Sequence, residues 1–339
     1  MKLVLMVPQG NKIGSVEALL RATEAAEELG FHGVSVRDHL VFNGAWISSG
    51  AIDTPVEGDN RDLFEAMQTL AFLAARTDRL KLQAGVIVLP SRHPLVLANE
   101  VATLDVFSGG RVVLGLGVGP PLRPGALKTT ELGTHRTNVE KEVLAIGASG
   151  PRGPRLDEYL EAMIAIWTQE SATYHGRWVD FEDLDVFPKP IQKPHPPIVI
   201  GGRSDHALRR TARYASGWVP SQVSVAEIEA GAEKLRAWYA QEGRTGPDDI
   251  GINMYVAIAA TDEAAEELAY PTASRVFPDE EQYRARTIVG SPETFTRRLR
   301  EYISAGVTFL EMRPVYRTVD ELIAQMRMMT ELVLPALEE

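Results

Sequence analysis

Two short segments of the chain carry residue types suited to chemistry at places where a fold could use them. Arg37-Asp38-His39 follows the apolar run Gly33–Val36. A carboxylate and an imidazole at the end of a strand can accept or deliver a proton near neutral pH, and they can equally make a capping or loop contact. Gly201-Gly202-Arg203-Ser204 stands between the apolar run Ile198–Ile200 and a helical pattern over 207–215. Glycines there let backbone N–H groups approach a ligand, the helix start adds partial positive charge, and Arg203 and Ser204 add donors. That is a phosphate cradle, or else a tight turn closed by a Ser N-cap.

Other motifs narrow the field. Gly115-Leu116-Gly117-Val118-Gly119 lacks the third-glycine spacing of a dinucleotide fingerprint and fits a close-packed strand exit. Ser91-Arg92-His93-Pro94 places a proline at a helix start, with Arg92 and His93 near the same mouth. The seven histidines show no H-x-x-x-H or H-E-x-x-H spacing, so no metal site is expected. There is no G-x-S-x-G for a serine hydrolase. The absence of cysteine excludes disulfides, thiolate metal sites and thiol nucleophiles.

The elements that must position these residues alternate along the chain. Apolar runs at Lys2–Val7, Gly33–Val36, Leu80–Leu89, Arg111–Gly117, Ile198–Ile200, Gly217–Val219, Ile250–Ala260 and Val307–Met312 read as eight strands. Helical spacing fills the intervals at 16–29, 63–74, from Pro94, 156–167, 207–215, 225–241 and 292–305, and a closing helix over 318–334 is expected to stop at Pro335. Strand, helix, strand implies parallel crossovers. Eight such units predict an α/β fold, a (β/α)8 TIM barrel formed as one domain over 1–339, with an inserted excursion after the fourth strand at about 118–154 that is rich in Gly, Pro, Thr and Arg. A doubly wound sheet would announce its nucleotide site in the first βα turn, and PQGNKIGS matches poorly.

A net charge of −11 over 339 residues argues against nucleic acid and anionic membranes as partners. No run approaches the roughly 18 apolar residues of a membrane span. The opening MKLVLMVPQG lacks the apolar core and cleavage site of a secretory signal, so a cytoplasmic chain is expected.

Taken in order, VRDHL (36–40), GVIVLPSRHP (85–94), ATLDVFSGGRVVLGLGVG (102–119), LDEYLEAMIAIW (156–167), FPKPIQKPHPPIVIGGRS (187–204), YASGWVP (214–220) and GSPETFTRRLREYISAGV (290–307) resemble the luciferase-like monooxygenase superfamily across nearly the whole chain. The resemblance implies a (β/α)8 barrel that binds FMN or the deazaflavin coenzyme F420 at its C-terminal mouth, and its F420-dependent branch is the better match. It implies that His39, with Asp38 orienting it, lies near the redox carbon and the substrate. It also implies that Gly85, Val86 and Ile87 form a bulge backing the coenzyme ring, with a cis peptide at Gly85–Val86. Gly117 is also expected among the coenzyme-binding residues, and the resemblance implies that Gly201, Gly202, Arg203 and Ser204 hold the phosphate. Arg203, Arg92 and Arg123 would help hold an acidic tail.

F420-dependent glucose-6-phosphate dehydrogenases carry a Trp where Asn43 stands and a Glu where Pro120 stands, so sugar-phosphate oxidation is not expected. The expected activity is hydride transfer between F420 and a small organic substrate, an alcohol, a carbonyl or an activated C=C. The alternative is an FMN-dependent monooxygenase served by a partner flavin reductase, and a non-catalytic coenzyme-binding barrel is a third reading. The resemblance further implies a homodimer.

Overall fold

The computed structural model describes residues 1–10, 14–39, 63–119, 127–130, 133–136, 151–277 and 279–338, giving only the backbone for 127–130 and 133–136. Asn43, Pro120 and Arg123 lie outside the described residues. In chain order the elements are β1 (Lys2–Met6), α1 (Val16–Glu28), β2 (Gly33–Val36), α2 (Ala66–Ala74), β3 (Lys81–Val88), α3 (Pro94–Phe107), β4 (Val112–Gly117), β5 (Leu127–Thr130), β6 (Gly133–Arg136), α4 (Arg152–Thr168), β7 (Ala172–His175) and β8 (Asp180–Leu184). They continue with β9 (Ile198–Gly201), α5 (Asp205–Tyr214), β10 (Gly217–Val219), α6 (Val225–Gln241), β11 (Asp249–Ile258), α7 (Asp262–Ala273), α8 (Glu280–Arg286), β12 (Thr287–Gly290), α9 (Pro292–Ser304), β13 (Phe309–Pro314), α10 (Val319–Met328) and α11 (Leu334–Glu338).

Strands β1, β2, β3, β4, β9, β10, β11 and β13 pair in parallel, and the β10–β11 pairing closes the ring. The eight-stranded TIM barrel is therefore as expected, while most of the excursion expected at about 118–154 lies outside the described residues. The strands are short and almost wholly buried because both faces are covered: helices pack outside, and side chains fill the lumen. Most helices start on a side-chain cap that occupies an orphan backbone donor. Ser15 accepts from the Ala18 N–H at 3.0 Å, and Ser224 and Glu227 form a reciprocal capping box on α6.

The lumen is layered. Val4, Val113, Val199 and Phe309 form an apolar plug. Buried polar residues, Ser35, Gln83, Asn253 and Glu311, belong to the same inward-facing strand positions. Register pairs Ser35 with Gln83 and Asn253 with Glu311.

Three features depart from the expected pattern. The closing helix does not stop at Pro335. A π turn at Met329–Val333 interrupts it, and α11 runs through the proline, whose missing N–H is harmless in a first turn. The α4 helix begins at Arg152, inside the predicted excursion. The antiparallel pairs β5–β6 and β7–β8, the helices α7 and α8, and β12, which pairs with the C-terminal half of β11, had no counterpart in the sequence reading.

Candidate active site

A cavity of about 550 Å³ opens where the strands end. This size suits a planar coenzyme and a small substrate. Its lining includes Arg37, Asp38 and His39 from the end of β2, Gly85, Val86 and Val88 from β3, Gly117 to Gly119 from β4, and Gly201 to Arg203 from β9. Segments far apart in the chain converge here because each closes a parallel strand at the same end of the barrel.

The wall at β3 is a bulge. Ala84 pairs with Leu114 and Ile87 with Leu116, so β3 uses three steps where β4 uses two. The Gly85–Val86 peptide is cis, as the resemblance implied. Val86 turns inward and leans over the neighbouring strands. A side chain at Gly117 would stand 2.9 Å from its Cγ2, and one at Gly115 would strike the Ala84 carbonyl at 2.0 Å. Gly115 and Gly117 thus make room for the bulge, in keeping with a close-packed strand exit. Ile87 closes the bulge, but its side chain is fully buried in the core and is not part of the cavity lining.

At the end of β2, Asp38 is buried and lines the cavity, but both carboxylate oxygens are engaged. Arg92 donates to Oδ1 from Nη2 at 2.5 Å and to Oδ2 from Nε at 3.2 Å, and the Val88 N–H donates to Oδ2 at 3.0 Å. Asp38 therefore ties the β2 end to the β3 exit, and this fixes the backbone that carries His39. The Arg92 guanidinium, expected near the acidic tail, is engaged by Asp38 and Glu65. Burial works against the Arg92 cation, yet the two carboxylates outweigh it and push its pKa up. Burial likewise opposes ionisation of Glu65, but the Gln68 N–H and Arg92 outweigh it and hold Glu65 below the usual carboxylate range. Gln9 braces the same corner from β1. Its amide donates to the carbonyls of Arg37 at 2.8 Å and Phe64 at 2.7 Å, and its oxygen accepts from the Arg37 N–H at 2.7 Å.

On β9, Gly202 has φ of +105°, a conformation that an L side chain resists, and its carbonyl accepts from Trp218 Nε1 at 2.8 Å. Ser204 caps α5 by accepting from the Ala207 N–H at 3.3 Å and does not line the cavity. Of the expected cradle, Gly201, Gly202 and Arg203 face the cavity and Ser204 serves the helix behind them. Arg152 donates to the carbonyls of Val118 at 2.8 Å and Gly119 at 3.0 Å, which seats the start of α4 on the same rim.

Sequence reasoning missed the wall opposite β3 and β4. Tyr255 and Arg313 are register partners on β11 and β13, and Asn253 and Glu311 lie one inward position below them. Arg313 Nη2 donates to the Tyr255 hydroxyl at 3.1 Å, and its guanidinium carbon lies 4.3 Å from the ring centre. Burial raises the Glu311 pKa, and Asn253, Ser35 and Arg313 only partly oppose it. The signal was present as polar residues at alternate positions of two otherwise apolar strands, 253/255 and 311/313. The lining carries Arg37, Arg203 and Arg313 together with Asp38 and Glu311; Asp38 is paired with Arg92, and Arg203 Nη1 lies 3.5 Å from Glu227 Oε1. Among the described residues no group of His, Asp and Glu is placed to hold a metal ion, and no helix is long and apolar enough to cross a membrane.

This is a TIM barrel with a bulge on the third strand, a glycine loop after the fifth and a cavity at the C-terminal ends of its strands. The chain belongs to the luciferase-like monooxygenase family, whose sequence model matches residues 1–277. A Mycobacterium tuberculosis protein of unassigned activity is 34% identical over 231 residues, 66% of this chain and 74% of its own. An F420-dependent glucose-6-phosphate dehydrogenase of Microbacterium testaceum is 30% identical over 241 residues, 69% of this chain and 61% of its own. An FMNH2-dependent dimethylsulfone monooxygenase of Pseudomonas putida is 29% identical over 211 residues, 61% of this chain and 52% of its own. The crystal structure of monooxygenase RslO1 from Streptomyces bottropensis superposes with a TM-score of 0.78 at 22% identity, covering 99% of both chains.

Proposed function

We propose that the protein is an F420-dependent oxidoreductase that transfers a hydride between the deazaflavin coenzyme and a small organic substrate, an alcohol, a carbonyl compound or an activated C=C. The observation that carries this reading is the convergence of His39, the 85–86 bulge and the Gly201–Arg203 loop on one cavity. When bound, the coenzyme supplies a carbon that gives or accepts hydride.

The chain's own residues do the rest. The backbone of Gly201 and Gly202, with Arg203, holds the acidic tail. Val86 backs the planar ring and sets its depth. The walls keep water from the reacting atoms. The His39 imidazole holds or gives up the proton that accompanies hydride transfer, and Asp38, locked by Arg92, positions the strand end on which His39 sits. Asp38 is thus a positioning residue.

An FMN-dependent monooxygenase, supplied with reduced flavin by a partner reductase, is the second reading. The similarity to the dimethylsulfone monooxygenase supports it. Fluorescence titration of the purified chain with F420 and, separately, FMN separates the two. Preferential F420 binding, with turnover on a panel of alcohols, ketones and enones, supports the first. Preferential FMN binding with oxygen consumption replaces it with the second.

A further inference from the structure

Glu311 is the one acidic cavity-lining residue whose carboxyl group has no cation gripping it within hydrogen-bond distance among the described contacts. It is 1% exposed, yet it belongs to the cavity wall, and its Oε1 has no hydrogen-bond partner. Leaving such an atom unpaired is costly, and a leucine of similar size would fill the space more cheaply.

Its surroundings are built around it. A Cβ at Gly85 would stand 1.9 Å from Oε1, so the carboxyl group occupies room that only glycine leaves at the foot of the bulge. Ser221 Oγ donates to Asn253 Oδ1 at 3.2 Å, which leaves the Asn253 amide nitrogen to donate toward its register partner Glu311. The groups acting on Glu311 are Asn253 from β11, Ser35 from β2 and the Arg313 charge two residues along its own strand.

We propose that Glu311 is a further ligand-contacting residue: its carboxyl group, seated beside Gly85 and steadied by Asn253, donates a hydrogen bond to an acceptor atom, a ring carbonyl or ring nitrogen, of the planar coenzyme bound against the 85–86 bulge. This rests on the coenzyme-site reading above. Burial raises the pKa of the group and so favours the neutral acid, the form that carries the donor proton. No bond is made or broken at Glu311 itself. It fixes the depth and face of the ring.

The test compares wild type, Glu311→Leu and Glu311→Gln in fluorescence titrations with F420 and with FMN, alongside thermal melting and infrared difference spectra. Glu311→Leu is expected to melt at or above the wild-type temperature while binding the preferred coenzyme about tenfold or more weakly, the loss of one hydrogen bond. A structural role would move both readouts downward together. Glu311→Gln keeps a donor and should bind within a few-fold of wild type. Its affinity should not change with pH, whereas wild-type affinity falls as the carboxyl ionises. The spectrum of wild type minus Glu311→Gln should show a neutral-carboxyl band that shifts when coenzyme is added.

Undiminished binding by Glu311→Leu, or a carboxyl band that is absent or unmoved by the ligand, overturns the proposal while leaving the coenzyme site standing. If Glu311→Leu does not fold, the infrared band and the Glu311→Gln pH profile decide. Failure of wild type to bind either coenzyme overturns the site reading and this inference with it.

Discussion

Arg92 holds Asp38 through two guanidinium nitrogens, Nη2 at 2.5 Å from Oδ1 and Nε at 3.2 Å from Oδ2. The pair joins the end of the second strand to the exit of the third, on either side of the place where His39 and the bulge meet the cavity. Arg92→Gln leaves the Asp38 carboxylate buried without its counter-ion, with the Val88 N–H still donating to Oδ2. It should destabilise the protein by about 3–5 kcal/mol in chemical denaturation. Arg92→Lys keeps the charge but not the fork, and should fall between the two. Equal stability of all three proteins would show that the pair does not hold this corner.

Trp218 bonds the Gly202 carbonyl through Nε1 at 2.8 Å. Trp218→Phe removes that bond and part of a buried ring, at an expected cost of roughly 1–3 kcal/mol. Coenzyme affinity should fall with it, because the loop that holds the acidic tail loses its anchor. Thermal melting and a binding titration on the same sample check both effects.

Stability should depend on pH through Glu311. Its pKa is raised in the folded protein, so between its ordinary value and its folded value the unfolded chain releases a proton that the folded chain keeps. Folding stability from this group is therefore greatest in acid and declines as pH rises through that window. Glu311→Gln removes the dependence. The melting temperature of the variant relative to wild type should rise from about pH 4 toward neutral. A constant difference would mean that Glu311 ionises normally.

His39→Ala should leave the coenzyme site formed and lower turnover by about 10²–10⁴-fold, the usual contribution of a positioned acid or base. Steady-state kinetics on an active substrate, with coenzyme affinity measured in parallel, read the two effects apart. Unchanged turnover in the folded variant would remove His39 from the mechanism.

The barrel was largely legible in the sequence because parallel strands covered on both faces are short continuous apolar runs. Gly33–Val36 and Gly217–Val219 have the bounds that their composition suggested. The helix α7 announced its start with Thr261 followed by Asp262 and Glu263, but Pro271 inside it masked the pattern. The strand β12 is four residues long and squeezed between two helices, too short for periodicity to register.

In the site, the β2, β3 and β9 segments stood out because glycines, an imidazole and a carboxylate interrupt strand ends. The partner of Asp38 did not, since Arg92 meets it only when two strand exits become neighbours. Ile87 faces away from the cavity because a bulge shifts which side chain faces the lumen, and a one-residue shift reverses the face. Asn253, Tyr255, Glu311 and Arg313 were hidden inside strands that otherwise read as core.

The most direct measurement is a fluorescence titration of F420, with FMN in parallel, into the wild-type chain and into Gly202→Asp. Gly202 has φ of +105° and a Cβ there would stand 3.2 Å from the Ala207 Cβ, while the new carboxylate would repel an anionic tail. Micromolar or tighter F420 binding by wild type and a loss of about tenfold or more in a folded Gly202→Asp variant are the expected results. Undiminished binding in that variant, or no binding of either coenzyme by wild type, would contradict the assignment of this cavity as the coenzyme site.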